Sequence, residues 1–164
     1  MKKISFLFLV FSIICGFNFP ASASNPLGSF GEAFNDIKVS ENYAYVAGGY
    51  GLKIYDISTP SSPVLVGSYT TDDSANGVYV SDNTAYISTE WSGLLIIDVS
   101  NPSEPTLIGS YNTDGAAIDV YVSGTKAYVA DGLAGLLIID ISNLSSPTLL
   151  GKYDTDGFAV SFCQ

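Results

Sequence analysis

The octapeptide Gly93-Leu94-Leu95-Ile96-Ile97-Asp98-Val99-Ser100 occurs three times in this chain. Its other copies are Gly51-Leu52-Lys53-Ile54-Tyr55-Asp56-Ile57-Ser58 and Gly135-Leu136-Leu137-Ile138-Ile139-Asp140-Ile141-Ser142, and the aspartates Asp56, Asp98 and Asp140 stand 42 residues apart each time. A fixed period of this length, carried by apolar and β-branched residues, constrains the chain to a repeat architecture. Each unit is then one small antiparallel sheet that cannot bury its faces alone.

Every period reads as four short strands. In the middle copy they are Asn76 to Ser81, Thr84 to Ser88, Leu94 to Val99 and Thr106 to Tyr111, separated by turns rich in Asp, Asn, Ser, Gly and Pro. The third strand decides the architecture. Leu94-Leu95-Ile96-Ile97 is apolar on both faces, so its sheet must be covered on both sides, as a propeller blade is by its two neighbours. An immunoglobulin-like sandwich lacks both the Cys…Trp…Cys spacing and any reason for a strict repeat. The expected fold is all-β, a β-propeller-type array of four-stranded antiparallel blades.

The period predicts three complete blades, over 32–71, 72–113 and 114–155. Pro26-Leu27-Gly28-Ser29-Phe30 matches Leu107-Ile108-Gly109-Ser110-Tyr111 and reads as an orphan outer strand within 24–31. Gly157 to Gln164 aligns with Gly115 to Val122, so 156–164 reads as the start of a truncated fourth blade. Three blades fall below the four to eight of a closed ring. An open flank of about 400 Å² would forgo on the order of 10 kcal/mol, as much as a typical domain's whole stability. The sequence is therefore expected to be a fragment of a longer protein or, if complete, to close by association, two copies making a six-bladed homodimeric ring.

The repeated strand, here Leu94-Leu95-Ile96-Ile97-Asp98 and Leu136-Leu137-Ile138-Ile139-Asp140, resembles the LVIVD-repeat family. The resemblance runs from Phe30 to the C-terminus and includes Asn101-Pro102-Ser103-Glu104-Pro105 and Gly109-Ser110-Tyr111. The first copy departs at Lys53 and Tyr55, and Leu144 replaces the proline found at Pro60 and Pro102. The resemblance implies a secreted or surface-exposed β-propeller and supplies no catalytic residues.

Composition narrows the partners. Lys2-Lys3, an apolar run from Phe6 to Ile14 and the small-residue site Ala21-Ser22-Ala23 form the pattern of a secretory signal over 1–23, which places the product outside the cell or in its envelope. The stretch from Ile4 to Phe19 is shorter than the ~20 apolar residues of a membrane span and is interrupted by Ser5, Ser12 and Asn18. Cleavage would leave four lysines and no arginine against 16 acidic residues, a charge that repels nucleic acid and anionic membranes. Cys163 would then be the only thiol, so packing must supply stability in place of disulfides. No histidine occurs in the chain, which excludes Ser-His-Asp and Cys-His nucleophiles and histidine metal sites.

The repeated Asp56, Asp98 and Asp140 precede Ser-containing turns and read as turn residues that tie down loop amides. Topology offers a different candidate. In a propeller the connections between blades and those between second and third strands emerge on one face. That face gathers Asp72, Asp73, Asp114, Asp154, Asp156, Glu90 and Asp131 with Tyr50 around Trp91, the one tryptophan. Exposed aromatics among carboxylates suit a protein or glycan partner, although Asp-Gly is also ordinary turn chemistry and acidic loops favour solubility. Asp154-Thr155-Asp156-Gly157 looks like the start of a calcium loop but lacks the distal ligands, so no metal or cofactor is expected. Asp36 and Asp119, early in innermost strands, stand where a propeller's axial channel would run, and Gly77 and Ser161 at the same repeat position equally fit a simple small-or-polar lining.

The expected function is a non-catalytic interaction module. Two alternatives stand beside it: the N-terminal part of a carbohydrate-active propeller enzyme using paired carboxylates, for which no acid/base pair can be chosen here, and a structural surface-layer repeat.

Overall fold

The computed structural model describes residues 33–160. The expected signal over 1–23, the outer strand within 24–31 and the last four residues of the fourth-repeat segment lie outside the described residues. Among the described residues, three four-stranded antiparallel sheets account for every strand, and there is no helix. The first sheet orders β1 (Phe34–Ser40), β2 (Tyr43–Gly48), β3 (Gly51–Asp56) and β4 (Val64–Thr70) side by side. The second holds β5 (Ala75–Ser81), β6 (Thr84–Thr89), β7 (Gly93–Asp98) and β8 (Thr106–Tyr111). The third holds β9 (Asp119–Ser123), β10 (Lys126–Ala130), β11 (Leu136–Asp140) and β12 (Thr148–Tyr153). The sheets follow one another as blades without closing into a ring.

Local chemistry sets each blade's turns. The first hairpins are two-residue loops whose leading residue has positive φ: Glu41 at 52°, Asp82 at 50° and Gly124 at 57°. That conformation matches the twist of the paired strands. Each third strand opens on or directly after a glycine with φ between +76° and +139°, Gly51, Gly93 or Gly135. A Cβ there would run into the carbonyl of Tyr69, Tyr111 or Tyr153 on the outer strand, so only glycine fits. Asp56, Asp98 and Asp140 each accept the amide of the serine two residues on at 2.8 Å, in the turn role expected of them. The outer strand slips register at one equivalent place in all three blades, between Ile54 and Tyr55, Ile96 and Ile97, and Ile138 and Ile139.

The core lies between the sheets. Leu95 and Ile97 join Tyr45, Leu52 and Ile54 of the first blade, together with Val78, Val80 and Ile87, in one buried cluster. Leu94, Ile96 and Tyr86 face the other way, into a second cluster with Val120, Val122, Val129, Leu137 and Ile139 of the third blade. The doubly apolar third strand is thus sheltered by both neighbours. The departures at Lys53 and Tyr55 follow from the same alternation, because they occupy the positions of Leu95 and Ile97 on the side of the first blade that the second does not cover.

Polar bonds cross the junctions as well. Asn35 Nδ2 donates to the Ala75 carbonyl at 2.8 Å, and Asn76 Nδ2 donates to the Ala117 carbonyl at 2.9 Å. Past the third blade, the Ala159 amide bonds the Gly132 carbonyl at 2.9 Å in an isolated bridge.

Candidate functional site

The connections expected to share a face do so through backbone bonds. The Thr71 amide donates to the Tyr50 carbonyl at 3.0 Å, the Ala75 amide to Gly49 at 3.3 Å and the Glu90 amide to Ser74 at 3.0 Å. The loop after β2, the link from β4 to β5 and the loop after β6 therefore form one stitched surface. The Thr71 hydroxyl closes the link by donating to the Asp73 carbonyl at 2.7 Å. Thr113 and Thr155, 42 and 84 residues on, donate likewise to Gly115 and Gly157. Asp154-Thr155-Asp156-Gly157, which resembles the start of a calcium loop in sequence, holds the third copy of this threonine turn.

Asp73 turns inward from that link. Its Oδ2 accepts the Trp91 amide at 2.8 Å, the Ser92 amide at 2.7 Å and the Ser92 hydroxyl at 3.0 Å. These bonds hold the loop after β6 in place and present Trp91 outward. Tyr50, Asp72, Asp73, Glu90 and Trp91 then line one shallow depression with Gly49 and Ser74. Tyr50 and Trp91 are 71% and 69% exposed, and both rings are therefore available to a partner.

Two of the expected rim carboxylates are corrected to structural roles. Asp73 is nine-tenths buried, and Asp131 is fully buried. Asp131 accepts the Thr113 hydroxyl at 2.8 Å and the Gly115 amide at 3.0 Å, so its oxygens serve loop donors and are not offered to solvent. Of the others, Asp72, Asp114, Asp154 and Asp156 are exposed and Glu90 is half-buried. Asp114, Asp131, Asp154 and Asp156 do not line the depression beside Trp91. The acidic rim is divided: Asp72, Asp73 and Glu90 accompany the aromatic pair, and the remaining four lie apart from it.

Sequence reasoning overlooked Ser74 and Ser92. Ser92 shares position with nothing in the shorter first-blade loop, so the repeat gave no signal for it. Asp73 also carries one oxygen, Oδ1, that is buried without a hydrogen-bond partner.

Near the axis, Asp36 Oδ2 accepts the Val78 amide at 2.9 Å and Oδ1 accepts the Ile37 amide at 2.8 Å. Burial raises its pKa above the ordinary carboxylate value, against the pull of those two amides, with the nearby Asp119 charge adding to the rise. Asp119 Oδ1 accepts the Val120 amide at 2.8 Å. Both carboxylates spend oxygens on strand amides, and Asp36 joins the first blade to the second. Among the described residues, no group of three or more His, Cys, Asp or Glu is arranged to hold a metal ion.

Sideways-packed four-stranded blades with loop connections gathered on one face define a propeller-type repeat protein. A family model, the LVIVD repeat, matches the chain three times, over residues 31–71, 73–113 and 114–155. The chain belongs to the LVIVD-repeat family. No curated protein matches it significantly. Among solved structures it is similar to the computationally designed Ika8 protein, with TM-score 0.64 and 14% identity over 80% of this chain and 41% of that one. The designed Ika4 protein gives TM-score 0.60 and 17% identity, over 78% of this chain and 75% of that one. KlHsv2 with loop 6CD replaced by a Gly-Ser linker gives 0.53 and 17%, over 77% and 41%. At these identities the likeness shows the fold. The chain spans less than half the length of Ika8 and KlHsv2 and three quarters of Ika4.

Proposed function

We propose that this chain is a secreted or cell-surface binding module without catalysis, and that it takes its partner at the depression between Tyr50 and Trp91. The observation that carries this reading is the exposure of two large aromatic rings beside Asp72 and Glu90 on loops held by backbone bonds. A ring face next to carboxylates attracts a lysine or arginine side chain through both its quadrupole and ion pairing. A basic segment of a protein partner is the occupant this chemistry favours. A glycan is a second reading, supported by the exposed aromatic pair, on which sugar rings stack.

Peptide and glycan arrays probed with the full chain test the reading. Binding to basic peptides should weaken as salt rises and disappear in Trp91→Ala and Tyr50→Ala, with Asp72→Asn reducing it. Retained binding in Trp91→Ala would overturn the site. Binding to glycans alone, lost in the same variants and insensitive to salt, would select the second reading.

A further inference from the structure

Each blade ends its second hairpin in one large, exposed apolar side chain: Tyr50, Trp91 and Leu133, the last at 79% exposure. Between successive tips stands one exposed aspartate at a fixed repeat position, Asp72 and then Asp114, with Asp156 a further 42 residues on. Local bonds set this order. Asp72 is flanked by Thr71, whose amide bonds the Tyr50 carbonyl, and by Asp73, whose carboxylate holds the Trp91 amide. Asp114 is flanked by Thr113, which lies against Gly93 at the foot of the Trp91 loop, and by Gly115, whose amide bonds Asp131 in the Leu133 loop.

The loop face therefore reads tip, acid, tip, acid, tip across three blades. In the first interval Asp73 also lines the depression, nine-tenths buried, with Oδ1 left without a hydrogen-bond partner. That interval holds an unspent acceptor as well as the exposed Asp72. Leu133 and Asp114 lie outside the depression between Tyr50 and Trp91, but they repeat its pattern one blade further on.

We infer that this row is a track for an extended basic segment of a partner protein, laid across all three blades, with a lysine or arginine at every third residue. The inference rests on the reading of the Tyr50–Trp91 depression as a site for a basic segment and extends that site to Asp114 and Leu133. Packed sheets lie ~10 Å apart, and a polyproline II-like segment repeats its face every three residues, ~9 Å along its axis. One side chain in three thus meets each interval. A basic side chain suits that place, because its charge pairs with the aspartate while its methylene stem lies against the apolar tips. Reaching from the first tip to the third takes about seven residues.

Fluorescence anisotropy on the full chain tests this with two labelled peptides of equal composition. In one, three lysines stand at every third residue with serines between them; in the other, the three lysines are adjacent. The native chain should bind the spaced peptide about fivefold more tightly, the gain expected from one further exposed ion pair with its apolar contact. Leu133→Ala and Asp114→Asn change exposed side chains, and each should remove most of that gain while leaving the clustered peptide's affinity unchanged. Trp91→Ala should abolish binding of both peptides. Equal affinity for the two peptides, or a gain that survives both Leu133→Ala and Asp114→Asn, overturns the track, while dependence on Trp91 would still uphold the depression. Failure of the native chain to bind either peptide, or binding indifferent to Trp91→Ala, overturns the depression and the track together.

Discussion

Asp131 takes the Gly115 amide through Oδ2 at 3.0 Å, and its carboxylate fills the space that a side chain at position 115 would need, where a Cβ would approach that oxygen to 2.9 Å. One period earlier the arrangement is reversed. Asp73 stands at the position of Gly115, Thr89 stands at the position of Asp131, and the carboxylate reaches across from the opposite loop to bond Trp91 and Ser92. Each of these two loop pairs contains one buried carboxylate, supplied from opposite sides.

This reciprocity predicts a rescue. Asp131→Thr removes the acceptor for two loop donors, and should cost about 2–4 kcal/mol. Gly115→Asp alone should also destabilise, by crowding the existing carboxylate. The double substitution, which copies the second blade's arrangement into the third, should recover a large part of the loss. Urea denaturation of the four proteins measures it, and strictly additive losses would show that the two loops act independently.

Glycine requirements should follow the observed backbone. Gly93 has φ +76°, and a Cβ there would come within 2.5 Å of the Tyr111 carbonyl and 2.6 Å of the Thr113 amide. Gly93→Ala should cost about 2 kcal/mol or more. Gly124 also has positive φ, but a Cβ meets nothing within 4 Å, and Asp82 adopts the same conformation in the preceding blade. Gly124→Asp should therefore change stability by less than about 1 kcal/mol. Equal thermal shifts in the two variants would contradict this reading of the turns.

Much of this fold is legible in the sequence because the repeat states it three times. Strand number, strand order and the two-faced third strand all follow from aligning Leu52, Leu94 and Leu136. The site is less legible. An aspartate in an interblade loop reads as solvent-facing whether it is Asp72, which is exposed, or Asp73, which is buried, because burial there depends on where Ser92 and Trp91 arrive from another strand pair. The interblade bonds of Asn35 and Asn76 were equally silent. Their signal was the shared repeat position, and it is absent from the third copy, where Ile118 stands.

The aspartates should separate on titration. Backbone and side-chain hydrogen bonds from Ser58, Ser100 and Ser142 lower the pKa values of Asp56, Asp98 and Asp140 at the surface. Their contribution to stability is present above the ordinary carboxylate value and is lost as pH falls through their lowered values. Asp36, raised by burial, has the opposite sign: its contribution is full below the ordinary value and is lost as pH rises through its own higher value. Carboxyl carbon shifts followed by NMR across the acid range should place Asp36 highest of the four. Finding Asp36 at or below the other three would show that its amide partners outweigh its burial.

Sideways shelter between blades is tested most directly by a pair of double-mutant cycles on neighbouring residues of β6. Tyr86 belongs to the cluster shared with the third blade and Ile87 to the cluster shared with the first. In urea denaturation, Tyr86→Ala and Val120→Ala should couple by more than about 0.5 kcal/mol, whereas Ile87→Ala and Val120→Ala should add within about 0.5 kcal/mol. Coupling of Val120 to Ile87 without coupling to Tyr86 would contradict the packing of each blade against the next.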